Sequence, residues 1–191
     1  MGEGGLHPII AAAAAAELPP WASVRPERRV HMAAVARLLD LWAHRLGLAD
    51  VDRARWRAAA WLHDALHDAD PAALGADAPD LPAPIRHGPA AAARLAREGV
   101  VDEELLEAVR WHTLGCPDWG RLGRFLYLAD YLEPGRTFRA AERAGLRARL
   151  PEDEQAVLRA VCRRRLVRLV SRGLALHPRT VGFWNELAGG S

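Results

Sequence analysis

The stretch Trp61-Leu62-His63-Asp64-Ala65-Leu66-His67-Asp68 sets the hardest condition on any fold of this chain. Trp61, Leu62, Ala65 and Leu66 have the spacing of a buried helix face, yet His63 and Asp64 stand among them. Taking ionisable groups out of water is costly unless partners compensate, and two orphaned groups cost more than one. The fold must therefore bring complementary groups from other segments to this point. Adjacent helical residues project about 100° apart, so a metal ion in the wedge between His63 and Asp64 is within reach of both. Other helices must then complete its shell.

The apolar spacing is helical along the rest of the chain, and no segment alternates as a strand does. The pattern predicts helices over 26–46, capped by Ser23 and stopped by Gly47, and from 50 or 52 through 65. Further helices are expected over 86–98, over 103–112 with Asp102 as its cap, over 119–133, and over 137–148. A long helix opened by Pro151 and a short one in HPRTVGFWNEL close the chain. Val30, Ala33, Ala34, Leu38 and Leu41 are expected to face inward from the first of these. Val157, Val161, Leu166, Leu169 and Val170 are expected to do so from the long one. The segment DADPAALGADAPDLPAP reads as a loop with at most one helical turn. Without a repeat or an internal linker, the expectation is one all-α domain over residues 25–188. Residues 1–24 precede it as an extension, either a short helix or flexible.

Composition narrows the function classes. At 191 residues and 50% hydrophobic the chain can bury one sizeable core. A formal net charge of +2 gives no polyelectrolyte field, and its one basic run, Arg163-Arg164-Arg165, falls inside an amphipathic helix pattern. That argues against nucleic acid as the partner. No run approaches the ~18 apolar residues of a membrane span, and the N-terminus lacks the basic opening of a secretory signal. Cys116 and Cys162 stand far apart, as in a reducing compartment. A cytoplasmic protein is expected. All 26 basic residues are arginine, so a cationic anchor for phosphate must be Arg or His.

Four further groups stand at awkward places on separate helices: His31, His87, His112, and Asp130 within the apolar FLYLADYLEP. With His63 and Asp64 they make six candidate ligands, more than one tetrahedral site needs. They match two ions sharing a bridging carboxylate, with positions left for water and substrate. Imidazole with carboxylate suits Fe, Mn, Zn, Co or Ni better than Ca. His7 and His44 read as surface or packing residues, His177 as a helix-start residue, and Asn185 as a tie between the last helix and a neighbouring backbone.

The order His31 … His63-Asp64 … His87 … His112 … Asp130 resembles the HD-domain metal-dependent phosphohydrolases. The blocks RRVHMAAVARL, WLHDALH, RHGPAAAARLA, VRWHTLGCPDW, LYLADYLEPGR and HPRTVGFWNEL resemble, in order, those of the YqeK branch, the symmetrical diadenosine tetraphosphate hydrolases. The likeness covers about residues 25 to 188. It implies a single HD-domain helical bundle holding two divalent transition-metal ions, with iron expected first and Mn, Co, Ni, Zn or Mg as alternatives. It implies His31, His63, Asp64 and Asp130 as ligands of one ion, and His87 and His112 as ligands of the second, with Asp64 bridging. Asp64 is also assigned to catalysis. His87, His112, Thr113 and Arg136 match positions beside the nucleotide. His67 stands where many members have Lys and is expected to assist the chemistry beside the metals rather than ligate them. The implied reaction splits diadenosine tetraphosphate into two ADP. The alternatives are another nucleotide or small phosphate ester, or a nucleotide-sensing module with little turnover. The expected partners are a small-molecule nucleotide and a second copy of the chain, with no nucleic acid and no membrane.

Overall fold

The computed structural model describes residues 5–74 and 81–189. Its regular elements there are all helical: α1 (Pro8–Ala14), α2 (Pro26–Arg45), α3 (Asp50–Leu62), α4 (His87–Arg97), α5 (Glu103–Trp111), α6 (Arg121–Leu132), α7 (Ala140–Ala148), α8 (Glu154–Ser171) and α9 (Pro178–Gly189), with a 3-10 turn at Ala83–Ile85 before α4. The expected all-α fold is the one observed. Pro26 and Pro178 sit at first helical positions, where the missing amide proton costs nothing. Gly47 and Gly99 adopt φ +68° and +91° just past α2 and α4, a left-handed geometry that closes a helix with little strain in glycine. Asp102 caps α5 by accepting from the Leu105 amide at 3.1 Å.

The core is one continuous cluster. α3 packs against α1, α2, α5 and α6, and α6 in turn against α2, α3, α5, α7 and α8, so these two helices form the centre of the fold. Its small residues Ala58, Ala59 and Ala60 are fully buried, as are Ala91 and Ala92 on α4, and such residues allow helix backbones to approach closely. Phe125 of α6 fills the space between Trp42 of α2 and Trp56 of α3, with ring centroids 5.7 and 5.1 Å away. Trp119, Tyr127 and Phe183 form a second aromatic group that docks α9 onto α6. Each such contact adds ~0.5–1.5 kcal/mol beyond area burial. Ile10 and Ala13 of α1 belong to the same core. No helix among the described residues is long and apolar enough to cross a membrane.

Several local expectations are corrected. α3 ends at Leu62, so His63 is its C-cap and Asp64 lies on the turn beyond it. There the ladder tightens: His63 N still bonds Ala59 O at 3.0 Å, whereas Ala65 N reaches Leu62 O and His67 N reaches Asp64 O. The His-Asp pair is thus presented by a helix terminus rather than a mid-helix face. Ser23 does not cap α2. Its backbone pairs with Ala65 O and Asp68 N, and the carboxylate of Asp68 accepts from the Arg25 amide at 2.8 Å, at the start of α2. Val30 and Leu41 are 68% and 49% exposed, because the buried face of α2 follows Met32, Val35, Leu39 and Trp42. Val170 is likewise exposed, and the inner stripe of α8 ends near its middle. Asn185 points outward and is exposed. Part of the Pro-rich loop, residues 75–80, lies outside the described residues.

Candidate metal centre

Asp64 is the hub. The turn after α3 sends its carboxylate inward, and the two oxygens face different ways. Oδ2 lies 3.4 Å from His63 Nε2 and 3.7 Å from His31 Nε2. Oδ1 lies 3.1 Å from His87 Nε2 and 3.4 Å from His112 Nε2. α2 supplies His31 to the first side, and α6 brings Asp130, whose Oδ1 is 3.3 Å from His31 Nε2. The first turn of α4 and the last of α5 supply His87 and His112, whose Nε2 atoms stand 3.0 Å apart. His63, Asp64, His87 and His112 are all buried, and His31 and Asp130 nearly so. All six candidate ligands therefore meet at one place, drawn from five helices or their ends.

The tautomers fix what these rings can do. His63 Nδ1 donates to Ala60 O and His112 Nδ1 to Val109 O, each at 2.8 Å. In a neutral ring that leaves a lone pair on Nε2, aimed here at a carboxylate oxygen. Two facing lone pairs repel unless a proton or a metal ion lies between them. The Nε2 atoms of both His31 and His63 are buried with no hydrogen-bond partner. A backbone-anchored Nδ1 with a free, inward Nε2 is the way proteins orient an imidazole toward a metal. Two sets of ligand atoms come close enough to share an ion: His31, His63 and Asp130, and His63, Asp64 and His112. The residues present fit a divalent cation.

Electrostatics point the same way. Burial alone would raise the Asp64 carboxyl, yet the imidazoles of His63, His112 and His87 around it hold it well below the usual range. Burial likewise opposes ionisation of Asp130, and His31, Arg165 and Arg136 overcome it. His31 is disfavoured as a cation by burial but raised overall by the neighbouring carboxylates of Asp130 and Asp64. Both carboxylates stay ionised and the cluster attracts positive charge.

The remaining predicted residues surround this centre. Thr113 Oγ1 lies 3.1 Å from His112 Nε2. Arg136 is not a free surface arginine: it binds the Asp130 carboxylate at 2.8 Å and its carbonyl at 3.1 Å. His67 lies beside the centre, its ring centroid 5.0 Å from that of His87. Its Nε2 lies 2.9 Å from Arg28 NH2, and Arg28 NH1 donates to Asp64 Oδ2 at 2.8 Å. Burial and then Arg28, against the pull of Asp64, lower its pKa. His7 caps α1 and His177 caps α9 through their Nδ1 atoms.

Three site residues escaped sequence reasoning. Arg28 stands three positions before His31 on α2, a spacing that places both on one face. Glu133, in the already quoted LADYLEP, brings Oε1 to 3.3 Å from His31 Nδ1. Arg165 lies in the Arg163–Arg165 run that looked like an ordinary helix surface. It donates to Asp130 Oδ2 at 2.7 Å and to Thr113 O at 3.2 Å, over the ring of Tyr127. Nothing in the local pattern separates it from its neighbours.

The HD domain family profile matches residues 28–135, a span that holds all six candidate ligands. A Bacillus subtilis protein named bis(5'-nucleosyl)-tetraphosphatase, symmetrical, is 34% identical over 108 residues, 55% of this chain and 56% of that protein. Proteins of the same name from Halalkalibacterium halodurans and Staphylococcus aureus are 30% identical over 104 residues (54% of each chain) and 28% over 113 (59% and 58%). The chain thus spans about half the length of the curated relatives it matches. A Clostridium acetobutylicum structure, described as a predicted HD superfamily hydrolase involved in NAD metabolism, superposes with a TM-score of 0.77 at 26% identity, covering 88% of this chain and 92% of that one. HD domains bind divalent metal, and the His/Asp cluster provides for it. By the family match over more than half of its length, with the fold in agreement, this chain belongs to the HD-domain family.

Proposed function

We propose that this protein is a dinuclear-metal phosphohydrolase that splits a dinucleoside polyphosphate, diadenosine tetraphosphate, into two ADP. The observation that carries the reading is the division of Asp64: one oxygen faces His31 and His63, the other His87 and His112. In this reading His31, His63, Asp64 and Asp130 hold one ion, His87 and His112 hold the other with Asp64 shared, and iron is the expected metal. When bound, two such ions supply positive charge and Lewis acidity at a phosphoryl centre. The chain's own residues do the rest. Asp64 and Asp130 offset half of the four positive charges, leaving a net attraction for polyphosphate. Arg136, at the rim with its side chain 39% exposed, can turn from Asp130 to a phosphate oxygen. Thr113 Oγ1 offers a hydroxyl donor beside His112. Arg28 keeps the Asp64 carboxylate oriented and is itself held by His67.

The names of the three relatives favour a symmetrical tetraphosphatase. A second reading, another dinucleotide as substrate, is favoured by the description of the structural neighbour. The test is to incubate the metal-loaded protein with diadenosine tetraphosphate and, separately, with NAD, and to resolve the products by chromatography. Two ADP per tetraphosphate consumed supports the proposal. ATP with AMP overturns the symmetrical cut, and turnover of NAD alone supports the second reading.

A further inference from the structure

His31, Arg28 and Arg136 form one end of a cleft of about 1090 Å³ between the start of α2, the 134–139 loop, α7 and α8. Small-molecule pockets run from ~300 to ~1000 Å³, so this open cleft lies at the upper end of that range. Nine arginines and three glutamates line it, leaving a strong positive excess in a chain whose net charge is only +2. Most of those arginines are committed. Arg28, Arg136 and Arg165 bind the carboxylates of the centre. Arg139 and Arg164 share Glu142, and Arg143 is held by backbone carbonyls. Arg163, Arg168 and Arg172 are different: they are exposed and enter no ion pair among the described residues.

Arg168 and Arg172 stand one turn apart on the same face of α8 and lead away from the centre. Arg172, just past the end of α8, lies about 10 Å along the helix from Arg165, at 1.5 Å per residue. Phe138 lines the same cleft, 67% exposed, with its carbonyl fixed by Arg143 Nε at 2.9 Å and the Arg139 guanidinium over its ring at 5.6 Å. An exposed aromatic ring and unpaired arginines lining one cleft are the pairing with which proteins hold a nucleobase and its phosphates.

We propose that the far end of this cleft is a second nucleotide subsite. Arg168 and Arg172 take the diphosphate, and Phe138 stacks the base, of the substrate half that lies away from the metal centre. The inference rests on the reading that the substrate is a dinucleoside polyphosphate, and it adds where the second half binds. It also gives the uncommitted charge of α8 a use that a mononucleotide substrate would not need.

The test is equilibrium binding of ADP to the metal-loaded full chain by calorimetry, which needs no turnover. Wild type is expected to bind two ADP per chain. The double variant Arg168→Ala/Arg172→Ala, at exposed helix positions where alanine is well tolerated, is expected to bind one with an unchanged melting temperature. Phe138→Ala should weaken the second site about tenfold. One ADP on wild type, or two on the double variant, overturns the subsite. If inorganic tripolyphosphate fills the second site as tightly as ADP and Phe138→Ala changes nothing, the base-stacking role is overturned. Two ADP bound by a protein that does not cleave diadenosine tetraphosphate would sink the proposed activity and leave the subsite standing.

Discussion

His87 and His112 bring their Nε2 atoms to 3.0 Å from each other, both facing Oδ1 of Asp64. The distance is set by how closely α4 approaches α5, and Gly88 sets that approach. A Cβ at position 88 would lie 2.8 Å from Val109 O, 2.9 Å from Arg110 O and 3.1 Å from His112 Cε1. Two of these are backbone atoms that cannot rotate away. Gly88→Ala must therefore push the helices apart and separate the two imidazoles. Overpacking of this kind costs ~1–3 kcal/mol. The expected outcome is a lower melting temperature together with loss of about one metal ion per chain, measured by elemental analysis. Full metal content in a destabilised Gly88→Ala would show that the His87–His112 pair holds no ion.

Asp64 is the one residue common to both sides of the centre. If it bridges two ions, Asp64→Ala should empty both sites rather than one. Asp130→Ala should spare the His87–His112 side, which it does not approach. Elemental analysis of the two variants separates the cases. An Asp64→Ala protein that keeps two ions would rule out the bridge.

Arg28 links Asp64 to His67, and that changes what residue 67 can do. Many members of the family carry Lys at this position, which by itself would predict that His67→Lys retains activity. In the structure the neighbouring group is a guanidinium, with NH2 2.9 Å from His67 Nε2. A neutral imidazole accepts from it, whereas an ammonium would repel it. His67→Ala is expected to retain both metals and lose about 10- to 100-fold in activity, the usual cost of removing an outer support. His67→Lys is expected not to recover that loss. Metal loss in His67→Ala would make His67 a ligand, and full activity in His67→Lys would show that the residue acts by charge on a phosphate.

The helices and the ligand order were legible because both are carried by short-range signals. Apolar spacing, Gly47, Gly99 and the Asp102 cap mark the elements, and a His-Asp pair beside Leu62 and Ala65 is conspicuous. What was not legible depends on packing between distant segments. The end of α3 before His63 follows from a tightened turn held by Ser23 and Asp68, which propensity does not encode. Val30 and Leu41 are apolar yet exposed, because the neighbours of α2 cover a different face. Arg165 differs from Arg163 and Arg164 only in what lies opposite it, namely Asp130 and Tyr127 from α6. Sequence reading finds the polar residue that is out of place on its own helix. It misses the one whose reason lies on another.

Arg165 supplies the last prediction. Its side chain is 18% exposed and that of Asp130 13%, so the pair is largely removed from water. One guanidinium nitrogen holds Asp130 Oδ2 and another holds Thr113 O, so α8 clamps α6 to the end of α5 across the metal centre. The plane also covers Tyr127 at 4.2 Å. Replacing it with Met keeps most of the volume but takes the charged bond from Asp130 Oδ2 and leaves Arg136 as the remaining guanidinium on that carboxylate, a change that costs ~1.5–3 kcal/mol. Arg165→Lys keeps the charge but not the planar two-point grip, and should lose only about 1 kcal/mol, the worth of one hydrogen bond. Denaturant unfolding of both variants checks the order Arg165→Met below Arg165→Lys below wild type. Asp130 reaches His31 from the same carboxylate that Arg165 holds, so Arg165→Met should also weaken metal binding on the His31 side, while Arg165→Lys largely preserves it. Equal losses of stability in the two variants, with metal affinity unchanged, would mean that Arg165 is only packing against Tyr127 and has no hold on the centre.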